Sequence, residues 1–321
     1  MNVDPSHRSQ PKISVVIVNW NTPDLLCRCL ESLSADMATG LCEVIVVDNA
    51  SSDPSAATVA ARFPDFTLIV NDRNLGYAAG NNVGLRVASG RHVMLLNSDT
   101  EVAPDAFRRL VTYLDEHPDC GAVGPQLLNV DGTLQRACMR FPGLGVLIGF
   151  DTWFGERWPL EGVIDDYFYR DFDHVESRDV DQPPAAALVV PRAVYDEVGL
   201  LDEDLFLFFN DVDFCRRVHA AGYKIHFLAE ACVTHHGGAS TARYGDFALE
   251  WHKNRNRYYR KAYGVPGFWM AKAMSVWRAA EEWWNTARKM TDPAEQEAAS
   301  RAIEKVVREV LADPGAFDER V

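Results

Sequence analysis

The sequence predicts an α/β protein with a mostly parallel central sheet flanked by helices. Between residues 13 and 118, continuous β-branched apolar runs alternate with segments of helical spacing. Unbroken apolar strands between helices are typical of a parallel sheet that is covered on both faces. Clusters of Asn, Asp and Ser follow these runs. Because such sheets bind ligands beyond the carboxyl ends of their strands, the sequence predicts one polar crevice at that edge.

Four strand and helix pairs follow one another along this region. The strands are rich in Val, Ile and Leu, which suits strands that are buried on both faces. Pro23 lies in the first turn of the first helix, a position that proline favours. The predicted strands are Ile13 to Trp20, Cys42 to Asn49, Phe66 to Asp72 and Arg91 to Asp99, and the last helix is Pro104 to Pro118.

Beyond this region the pattern changes twice. Residues 143–181 are rich in aromatic and acidic residues and lack a regular period, which indicates a long loop over a ligand site. The regular pattern returns from Ala185 to Gly199. After Ser240 we expect a C-terminal extension of three helices, at Phe247 to Ala262, Gly267 to Arg288 and Pro293 to Leu311.

Composition excludes some classes of protein. The 321 residues are 47% hydrophobic and 24% charged, which is typical of a globular chain with a substantial core. A net charge of −14 argues against a nucleic-acid-binding protein. The 7 cysteines form no CxxC pair, so we expect buried, reduced thiols in a cytoplasmic protein. We also expect no signal peptide and no membrane span, because no apolar run approaches about 20 residues.

Three motifs fall at the predicted polar edge. Asp99, in "NSDT", could hold a hard divalent cation on a diphosphate, or could simply cap the next turn. Asp48, in "VDNASSD", could bind a base and ribose, although Asx and Ser turns look alike. In "NLGYAAGNN", Gly76 and Gly80 allow close backbone approach before a helix start, which suits phosphate. This motif is not GxGxxG, which argues against a nicotinamide cofactor.

Two later motifs bring further carboxylates and imidazoles. In "FLFFNDVDFC", Asn210 as an N-cap would place Asp211 and Asp213 in the first turn of a helix. Acidic residues there can merely complement the helix dipole, but the aromatic residues before them indicate an interior site. In "VTHHGGAS", His235 and His236 should point in different directions, so at most one would join Asp99 at a cation such as manganese.

Taken in order, these motifs resemble those of the family-2 inverting glycosyltransferases, and most closely the bacterial rhamnosyltransferase-like branch. Each motif is weak alone, whereas six in the family's order, from about Ile13 to Ser240, are highly specific. They are "VVIVNWN", "VVDNASSD", "NLGYAAGNN", "LLNSDT", "VGLLDEDLFLFFNDVDFCRRVHAAG" and "AEACVTHHGGAS".

The resemblance implies the GT-A (nucleotide-diphospho-sugar transferase) fold with a C-terminal helical extension. The implied catalytic domain is 13–245, with a nucleotide-binding half at 13–118 and an acceptor and base half at 119–245. Residues 1–12 would form a flexible N-terminus, and residues 246–321 would form the helical extension.

The resemblance also implies a role for each site residue. Asp211 matches the catalytic base, and Asp99 and His235 match positions that hold Mg²⁺ or Mn²⁺. Asp48 matches the residue that binds the donor's nucleotide. The other residues expected at the donor nucleotide are Asn19, Asn21, Asn49, Asn74, Gly76, Asn81 and Asn97. Those expected at the acceptor or behind the base are Asp202, Asn210, Asp213, Arg217 and His236.

The chain departs from the family's pattern at three positions. Asn97 stands where many relatives have the first Asp of the DxD motif, which leaves Asp99 as the firmer metal ligand. Asn210 replaces the usual Glu before the base, which affects acceptor contacts or the pKa of the base. Ala185 replaces a frequent Gly near the sugar, which would tighten the donor pocket. None of these changes removes the implied base.

The implied activity is metal-dependent transfer of rhamnose or a hexose, with inversion, to a glycan or lipid-linked acceptor in bacterial surface polysaccharide synthesis. The donor would be dTDP-rhamnose or a UDP-hexose. Two alternatives stay open from the sequence. One is a metal-dependent hydrolase that uses Asp99, Asp211 and His235 in the same acidic cleft, and the other is a catalytically silent protein that binds nucleotide sugars.

An aromatic stripe marks the second C-terminal helix. We expect this stripe to pack against the catalytic domain or to form a homodimer with a second subunit. The alternative is peripheral contact with the inner face of the plasma membrane, with Lys272, Arg278 and Lys289 close by. Glu281 and Glu282 weaken that alternative. The stripe consists of Trp269, Ala273, Trp277, Ala280 and Trp284.

Overall fold

One mixed sheet of ten strands forms the centre of the fold. A computed structural model describes residues 11–150, 152–155, 160–183, 186–237 and 247–314. The strands within these ranges are β1 (Ile13–Asn19), β2 (Cys42–Asp48), β3 (Thr67–Val70), β4 (His92–Asn97), β5 (Thr100–Val102), β6 (Cys120–Leu128), β7 (Leu134–Gln135), β8 (Arg178–Asp179), β9 (Ala187–Pro191) and β10 (Lys224–His235).

The sheet is parallel through its first half and mixed beyond it. Its order is β3–β2–β1–β4–β9–β6–β10–β5, while β7 pairs with β6 and β8 pairs with β10. The strands β3, β2, β1 and β4 are parallel, as are β6 and β10. Only β9 separates the two groups, and it runs antiparallel to both β4 and β6. The predicted α/β class with a mostly parallel central sheet is confirmed.

The register brings the polar ends of the parallel strands to one edge. The last residue of β1, Asn19, pairs with Asp48 at the end of β2. Asn97 at the end of β4 pairs with Val18 of β1. At the far side, β10 ends at His235, which lies opposite Thr100 of the antiparallel strand β5. These positions form the carboxyl edge of the sheet, where ligands bind in folds of this kind.

Helices cover the sheet through apolar faces. In α4, for example, the buried residues Phe107, Leu110, Val111 and Leu114 recur at helical spacing. Burying one such side chain stabilises the fold by about 1.5–3 kcal/mol. The helices are α1 (Pro23–Ala38), α2 (Ser55–Arg62), α3 (Gly76–Val87), α4 (Ala106–Glu116), α5 (Leu144–Gly149), α6 (Leu160–Tyr167), α7 (Arg192–Val198), α8 (Asn210–Ala220), α9 (Phe247–Asn285) and α10 (Pro293–Ala312).

Helix α3 packs unusually close to β1. A Cβ atom added to Gly84 would lie 2.4 Å from Cγ1 of Val16, and one added to Gly80 would lie 3.1 Å from Cγ1 of Val18. Since α3 begins at Gly76, Gly80 lies a turn inside the helix and faces the sheet. The expectation that Gly80 allows phosphate to approach before the helix start is therefore wrong. Its small size serves helix–strand packing instead.

Contacts between Cα atoms divide the chain into two compact units. Among the described residues, the first unit contains all ten strands together with α1 to α4, α7 and most of α8. The second contains α5, α6, α9 and α10, and the segment Asp204–Asn210. The functional halves expected within the catalytic domain stay a prediction. All 7 cysteines are free thiols, and all except Cys232 are buried.

The second unit is mostly helical. Two short helices, α5 and α6, occupy part of the region expected to be irregular. The α9 segment breaks at Gly264, where φ is +68°, and Pro266 follows two residues later. This break matches the gap expected between the first two C-terminal helices, because neither a left-handed glycine nor a proline continues a helix.

The tryptophans of the aromatic stripe of α9 are partly exposed, and the Trp277 ring packs against Phe154 of the same unit, with ring centroids 5.2 Å apart. Trp269, Trp277 and Trp284 are 59%, 45% and 56% exposed. Lys272 lies beside the stripe as expected, with its ammonium 5.2 Å from the centroid of the Trp269 ring. It is only 3% exposed, and its ammonium donates to the carbonyls of Leu311 and Asp313. Among the described residues, none of the helices combines the length and the apolar character that a bilayer crossing requires.

Candidate functional site

The first polar cluster joins the ends of β1 and β2. The Nδ2 of Asn19 donates to Oδ1 of Asp48 at 3.2 Å, and the hydroxyl of Thr22 donates to Oδ1 of Asn19 at 2.7 Å. The other oxygen of Asp48, Oδ2, accepts the backbone N–H of Ser51 at 3.0 Å. Asp48 is only 2% exposed. These bonds hold the Asp48 carboxylate in one orientation at the carboxyl edge of the sheet.

A second network builds the loop that precedes α3. The amide of Asn49 donates to Oδ1 of Asn74 at 2.8 Å and to the carbonyl of Gly76 at 3.0 Å. Its Oδ1 accepts from the backbone N–H of Leu75 and from Nδ2 of Asn71. Gly76 has φ of +81°, a left-handed conformation that favours glycine. The side chains of Asn49 and Asn74 therefore shape the loop, and contact between them and a nucleotide stays a prediction.

Three more residues are expected at the donor nucleotide, namely Asn21, Asn81 and Asn97. Asn21 accepts from the backbone N–H of Ser52 at 2.8 Å, and its own φ is +56°. The Nδ2 of Asn81 donates to the carbonyl of Tyr77 one turn earlier in α3. Asn97 ends β4, and its backbone N–H donates to the carbonyl of Ala186. Asn21 follows β1, Asn81 lies within α3 and Asn97 ends β4, and all three belong to the first unit.

The candidate metal pair is formed by Asp99 and His235. The Nε2 of His235 lies 3.4 Å from Oδ1 of Asp99, and both side chains are largely buried. The other nitrogen, Nδ1, is 2.7 Å from Oε1 of Gln135. Because an amide oxygen can only accept, Nδ1 carries a proton, and Nε2 is the nitrogen that faces Asp99. The predicted pair of ligands thus lies together at the edge of the sheet.

These two groups suit a divalent cation that also binds a diphosphate. One carboxylate oxygen and one imidazole nitrogen are ligands that Mn²⁺ accepts, and two ligands around one such ion lie roughly 3 Å apart. Among the described residues there is no set of three or more His, Cys, Asp or Glu side chains placed to bind a metal. The pair would therefore need substrate or water oxygens to complete the coordination.

The neighbouring histidine faces another carboxylate. The Nε2 of His236 lies 2.8 Å from Oε1 of Glu101, while its backbone N–H donates to the carbonyl of Asp99. The side chain of His236 thus pairs with β5 rather than with Asp99. Its predicted place on the acceptor side stays a prediction.

Asp211 lies in the first turn of α8, as expected from the sequence. Its Oδ2 accepts a 2.9 Å hydrogen bond from Nε2 of Gln182. Burial raises the pKa of the Asp211 carboxyl above its ordinary value, although the N–H groups of Val212 and Asp211 and the amide of Gln182 oppose the rise. Desolvation of the Asp211 carboxyl therefore outweighs the stabilisation of its charge by the hydrogen-bond donors at the start of α8. The sequence alone could not decide which effect is larger. A carboxyl with a raised pKa is a stronger base once it has ionised.

Tyr77 lies in the electric field of both candidate carboxylates. Burial raises the pKa of its phenol, and the negative charges of Asp211 and Asp99 raise that pKa further. Both charges can act in this way only if both carboxylates lie in the neighbourhood of the Tyr77 side chain. The structure therefore brings Asp99 and Asp211, from distant parts of the sequence, to one region of the first unit.

Asp213 and Arg217 form an ion pair along α8, in the turn that follows Asp211. The Nε of Arg217 donates to Oδ2 of Asp213 at 3.0 Å, one helical turn away. The guanidinium also donates to the carbonyls of Val198 and Leu200. A half-buried guanidinium with several bonds of this kind holds α8 against the segment that follows α7. Its effect on the acceptor stays a prediction.

The remaining predicted residues flank α8. Asn210 was expected to cap α8, but it is the first residue within that helix, and its Nδ2 donates to the carbonyl of Leu205 at 3.3 Å. Asp202 lies in the segment between α7 and α8, beside Glu203. Ala185, where relatives often have Gly, lies outside the described residues, as do the last three residues of "VTHHGGAS".

Four residues at or near the site were missed from the sequence. Gln182 donates a hydrogen bond to the proposed base, Asp211. The charges of Asp99 and Asp211 raise the pKa of Tyr77. Gln135 contacts Nδ1 of His235. Asn82 exchanges two hydrogen bonds with the backbone of Leu201, at 2.8 and 3.1 Å. Tyr77 and Asn82 belong to the motif "NLGYAAGNN", so that motif was a usable signal. Gln182 and Gln135 stand in no recognised pattern.

Comparison with known proteins covers most of the chain. A sequence model of the family "Glycosyl transferase family 2" matches residues 14–176. The O-antigen biosynthesis protein RfbC of Myxococcus xanthus is 30% identical over 238 residues, which are 73% of this chain but only 18% of RfbC. The N-acetylglucosaminyl-diphospho-decaprenol L-rhamnosyltransferase of Mycobacterium tuberculosis (strain H37Rv) is 27% identical over 270 residues, 81% of this chain and 87% of that protein.

The fold also matches solved structures. The mannosyltransferase PcManGT from Pyrobaculum calidifontis, solved with GDP-Man and Mn²⁺, superposes with a TM-score of 0.53 at 17% identity, covering 94% of this chain and 85% of PcManGT. This likeness confirms the GT-A fold expected from the sequence. Because the family model spans half of the chain, the chain belongs to glycosyl transferase family 2.

Proposed function

We propose that the protein is a metal-dependent inverting glycosyltransferase that acts in bacterial surface polysaccharide synthesis. It would move rhamnose or a hexose from a dTDP or UDP donor to a glycan or lipid-linked acceptor. Support comes from the family and from the names of its relatives, an O-antigen biosynthesis protein and an L-rhamnosyltransferase with a diphospholipid acceptor.

The observation that carries the proposal is a chain of contacts between Asp99 and Asp211. The N–H of Asn97, two residues before Asp99, donates to the carbonyl of Ala186. Gln182, four residues before Ala186, donates to Oδ2 of Asp211. A transferase of this class needs one group at the departing diphosphate and another at the incoming hydroxyl. In this chain the two carboxylates come from different elements, the end of β4 and the start of α8. These contacts, and the common effect of both carboxylates on Tyr77, support a single site with two sides.

On the donor side, Asp48 and Asn19 would bind the nucleotide. Asp48 is oriented by Asn19 and Ser51, so its carboxylate can accept hydrogen bonds from a base or ribose without rearranging. The first turn of α3 would present the positive end of the helix dipole to phosphate, while the N–H of Gly76 itself donates to Oδ1 of Asn74. Both groups would hold the donor with its sugar toward Tyr77.

Asp99 and His235 would hold Mg²⁺ or Mn²⁺ at the diphosphate. When bound, the cation would supply positive charge that stabilises the departing nucleoside diphosphate. Gln135 would keep His235 in the tautomer that presents a lone pair.

On the acceptor side, Asp211 would act as the general base. Its carboxylate would take the proton of the acceptor hydroxyl while that oxygen bonds to the anomeric carbon and the bond from this carbon to the diphosphate breaks. Attack from the face opposite the leaving group inverts the anomeric centre in one displacement. The raised pKa of Asp211 suits this role, because it brings the base closer to the operating pH.

Two alternative functions have less support. A metal hydrolase would use a protein-only ligand cluster, and within the described ranges no set of three such ligands occurs. A silent nucleotide-sugar-binding protein would have no use for a desolvated carboxylate with its own amide donor. Product analysis separates all three, since they predict sugar on an acceptor, sugar released to water, or no turnover.

The exposed tryptophans of α9 support a contact of the C-terminal helices with a membrane or with a second copy of the chain. Trp269, Trp277 and Trp284 present one face to solvent. Tryptophan suits the interface of a bilayer, where its ring is amphipathic, and it is also enriched in protein interfaces. Liposome co-sedimentation and light scattering of the full chain, compared with a Trp269→Ser/Trp277→Ser/Trp284→Ser variant, distinguish the two.

The decisive experiment is a thermal-shift panel of nucleotide sugars with and without Mn²⁺. A ligand that binds only the folded state raises its stability as its concentration exceeds Kd. We expect one nucleotide sugar to raise Tm by a few degrees, and more with Mn²⁺ than with EDTA. The same donor should then label an N-acetylglucosaminyl-diphospho-lipid in a product assay. A panel in which no nucleotide sugar shifts Tm would contradict the proposal.

A further inference from the structure

Gln182 is a buried residue whose side chain contacts the proposed base, Asp211. Its side chain is 1% exposed, and its Nε2 donates to Oδ2 of Asp211 at 2.9 Å. Its backbone is held by two hydrogen bonds with Met139, at 3.0 and 3.1 Å. Gln182 also precedes β9, whose first residue Ala187 pairs with Leu96 near the end of β4. The amide is therefore fixed at both its backbone and its donor end.

The other end of this amide has no partner among the described residues. The Oε1 of Gln182 is buried, and it accepts no hydrogen bond from any of the residues that the structure describes. The amide cannot gain by turning over, because its carbonyl oxygen would then face the Asp211 carboxylate. A buried carbonyl oxygen without a donor costs free energy, so such an atom in a binding region indicates that a ligand supplies the donor.

We propose that Gln182 is a sugar-binding residue that also positions Asp211. Its Nε2 holds the carboxylate in place, and its Oε1 accepts a hydrogen bond from a hydroxyl of the acceptor sugar, next to the hydroxyl that Asp211 deprotonates. This inference rests on the proposed role of Asp211 as the base.

The chemistry of this position selects a neutral hydroxyl. Oε1 can only accept, so its partner must donate a proton. An anionic group would be repelled by the Asp211 carboxylate beside it. A sugar that offers two neighbouring hydroxyls satisfies both atoms at once, with one hydroxyl on Asp211 and the other on Gln182. Discrimination against a sugar that lacks the second hydroxyl then follows, because Oε1 would stay unpaired.

The link between the two side chains can be tested without substrate. Gln182→Met keeps the volume and removes both polar atoms. At pH 8 we expect Gln182→Met to lower Tm by a few degrees in the wild-type background and by much less in an Asp211→Asn background. The reason is that the lost bond supports a buried charge only in the first case. Equal losses in both backgrounds would overturn the positioning role.

The effect on catalysis is a shift in the pH profile together with a change in KM. The Gln182 bond lowers the pKa of Asp211, so its loss should move the acid limb of kcat/KM upward by about one pH unit. With the donor found by thermal shift and an N-acetylglucosaminyl-diphospho-lipid as acceptor, the acceptor KM should rise about tenfold in Gln182→Met. Gln126→Met is a matched control, since Gln126 donates to the carbonyl of His174 instead; its acid limb and acceptor KM should equal those of the wild type.

The outcomes separate this inference from the proposed function. If Asp211→Asn abolishes transfer while Gln182→Met keeps the wild-type acid limb and acceptor KM, the inference is wrong and the proposed function stands. Full transfer by Asp211→Asn would overturn the proposed function and the inference with it. If Gln182→Met does not fold, Gln182→Glu serves in its place. A second carboxyl beside Asp211 should move the acid limb of the kcat/KM profile to a higher pH than in Gln182→Met. An acid limb at the wild-type pH would overturn the inference.

Discussion

The imidazole of His235 turns its Nε2 toward Oδ1 of Asp99 at a distance of 3.4 Å, although 136 positions of sequence separate the two residues. This distance is too long for a good hydrogen bond and suits two ligands of one cation. The pairing arises because β5 turns back after β4 and pairs with the end of β10. Metal binding is therefore the first property of the site to test.

Removal of either member of this pair should abolish the effect of Mn²⁺ on donor binding. We expect Asp99→Asn and His235→Gln to lose the Mn²⁺-dependent part of the Tm shift and to lower transfer at least 100-fold, because each removes one of the two proposed protein ligands. His226→Gln is the matched control. His226 lies on the same strand and pairs with Asp179 at 2.7 Å, away from Asp99. A Mn²⁺ effect that survives both site variants would contradict the assignment.

Loss of the base should slow transfer without loss of donor binding. Asp211→Asn keeps the size of the side chain but cannot take a proton at neutral pH. We expect a fall in kcat of about 10²–10⁴ and an unchanged donor-induced Tm shift, measured by product formation and thermal shift. Asp65→Asn, at an exposed position, should behave as the wild type. The base role would be wrong if Asp211→Asn kept more than a tenth of the wild-type rate.

The raised pKa of Asp211 also predicts a pH dependence of stability. The folded-state pKa lies above the unfolded value of about 3.9, so the folded state holds its proton more tightly. This contribution to stability is complete below the unfolded pKa and is lost as pH rises through the folded pKa. Asp211→Asn has no proton to lose. The Tm of Asp211→Asn relative to wild type should therefore increase with pH across that window and then level off.

Calorimetry from pH 4 to pH 8 measures this difference. Subtraction of the two curves removes the titration of all groups that do not interact with Asp211. A difference that falls as pH rises would mean that the pKa of Asp211 is lowered in the folded protein, contrary to the effect of its burial.

The close contact between α3 and β1 predicts opposite effects of two glycine substitutions. Gly84→Ala should destabilise the protein by roughly 1–3 kcal/mol, because the added Cβ would lie 2.4 Å from Cγ1 of Val16. Gly162→Ala is the control, since a Cβ at that position in α6 has no atom within 4 Å. It should stabilise by about 0.5–1 kcal/mol through helix propensity. Urea denaturation measures both, and equal effects would contradict the packing.

Part of the site could be predicted because short local sequence patterns mark its residues. Asp48 and Asp99 follow apolar runs directly, and the ends of parallel strands meet at one edge. Asp211 follows a helix start that the sequence marks with Asn210. The partners of these groups could not be predicted in the same way. Gln182 is 29 residues from Asp211, and Asn82 is 119 residues from Leu201.

The sequence by itself determined the alternation of strands and helices, the order of the family's motifs and hence the family. These features depend on local periodicity and on short motifs, which are set by nearby residues. The tertiary structure alone decided the insertion of antiparallel β9, the contact of Gln182 with Asp211, and the balance that raises the pKa of Asp211. These features depend on burial and on pairings between distant segments, and no local pattern of residues specifies either.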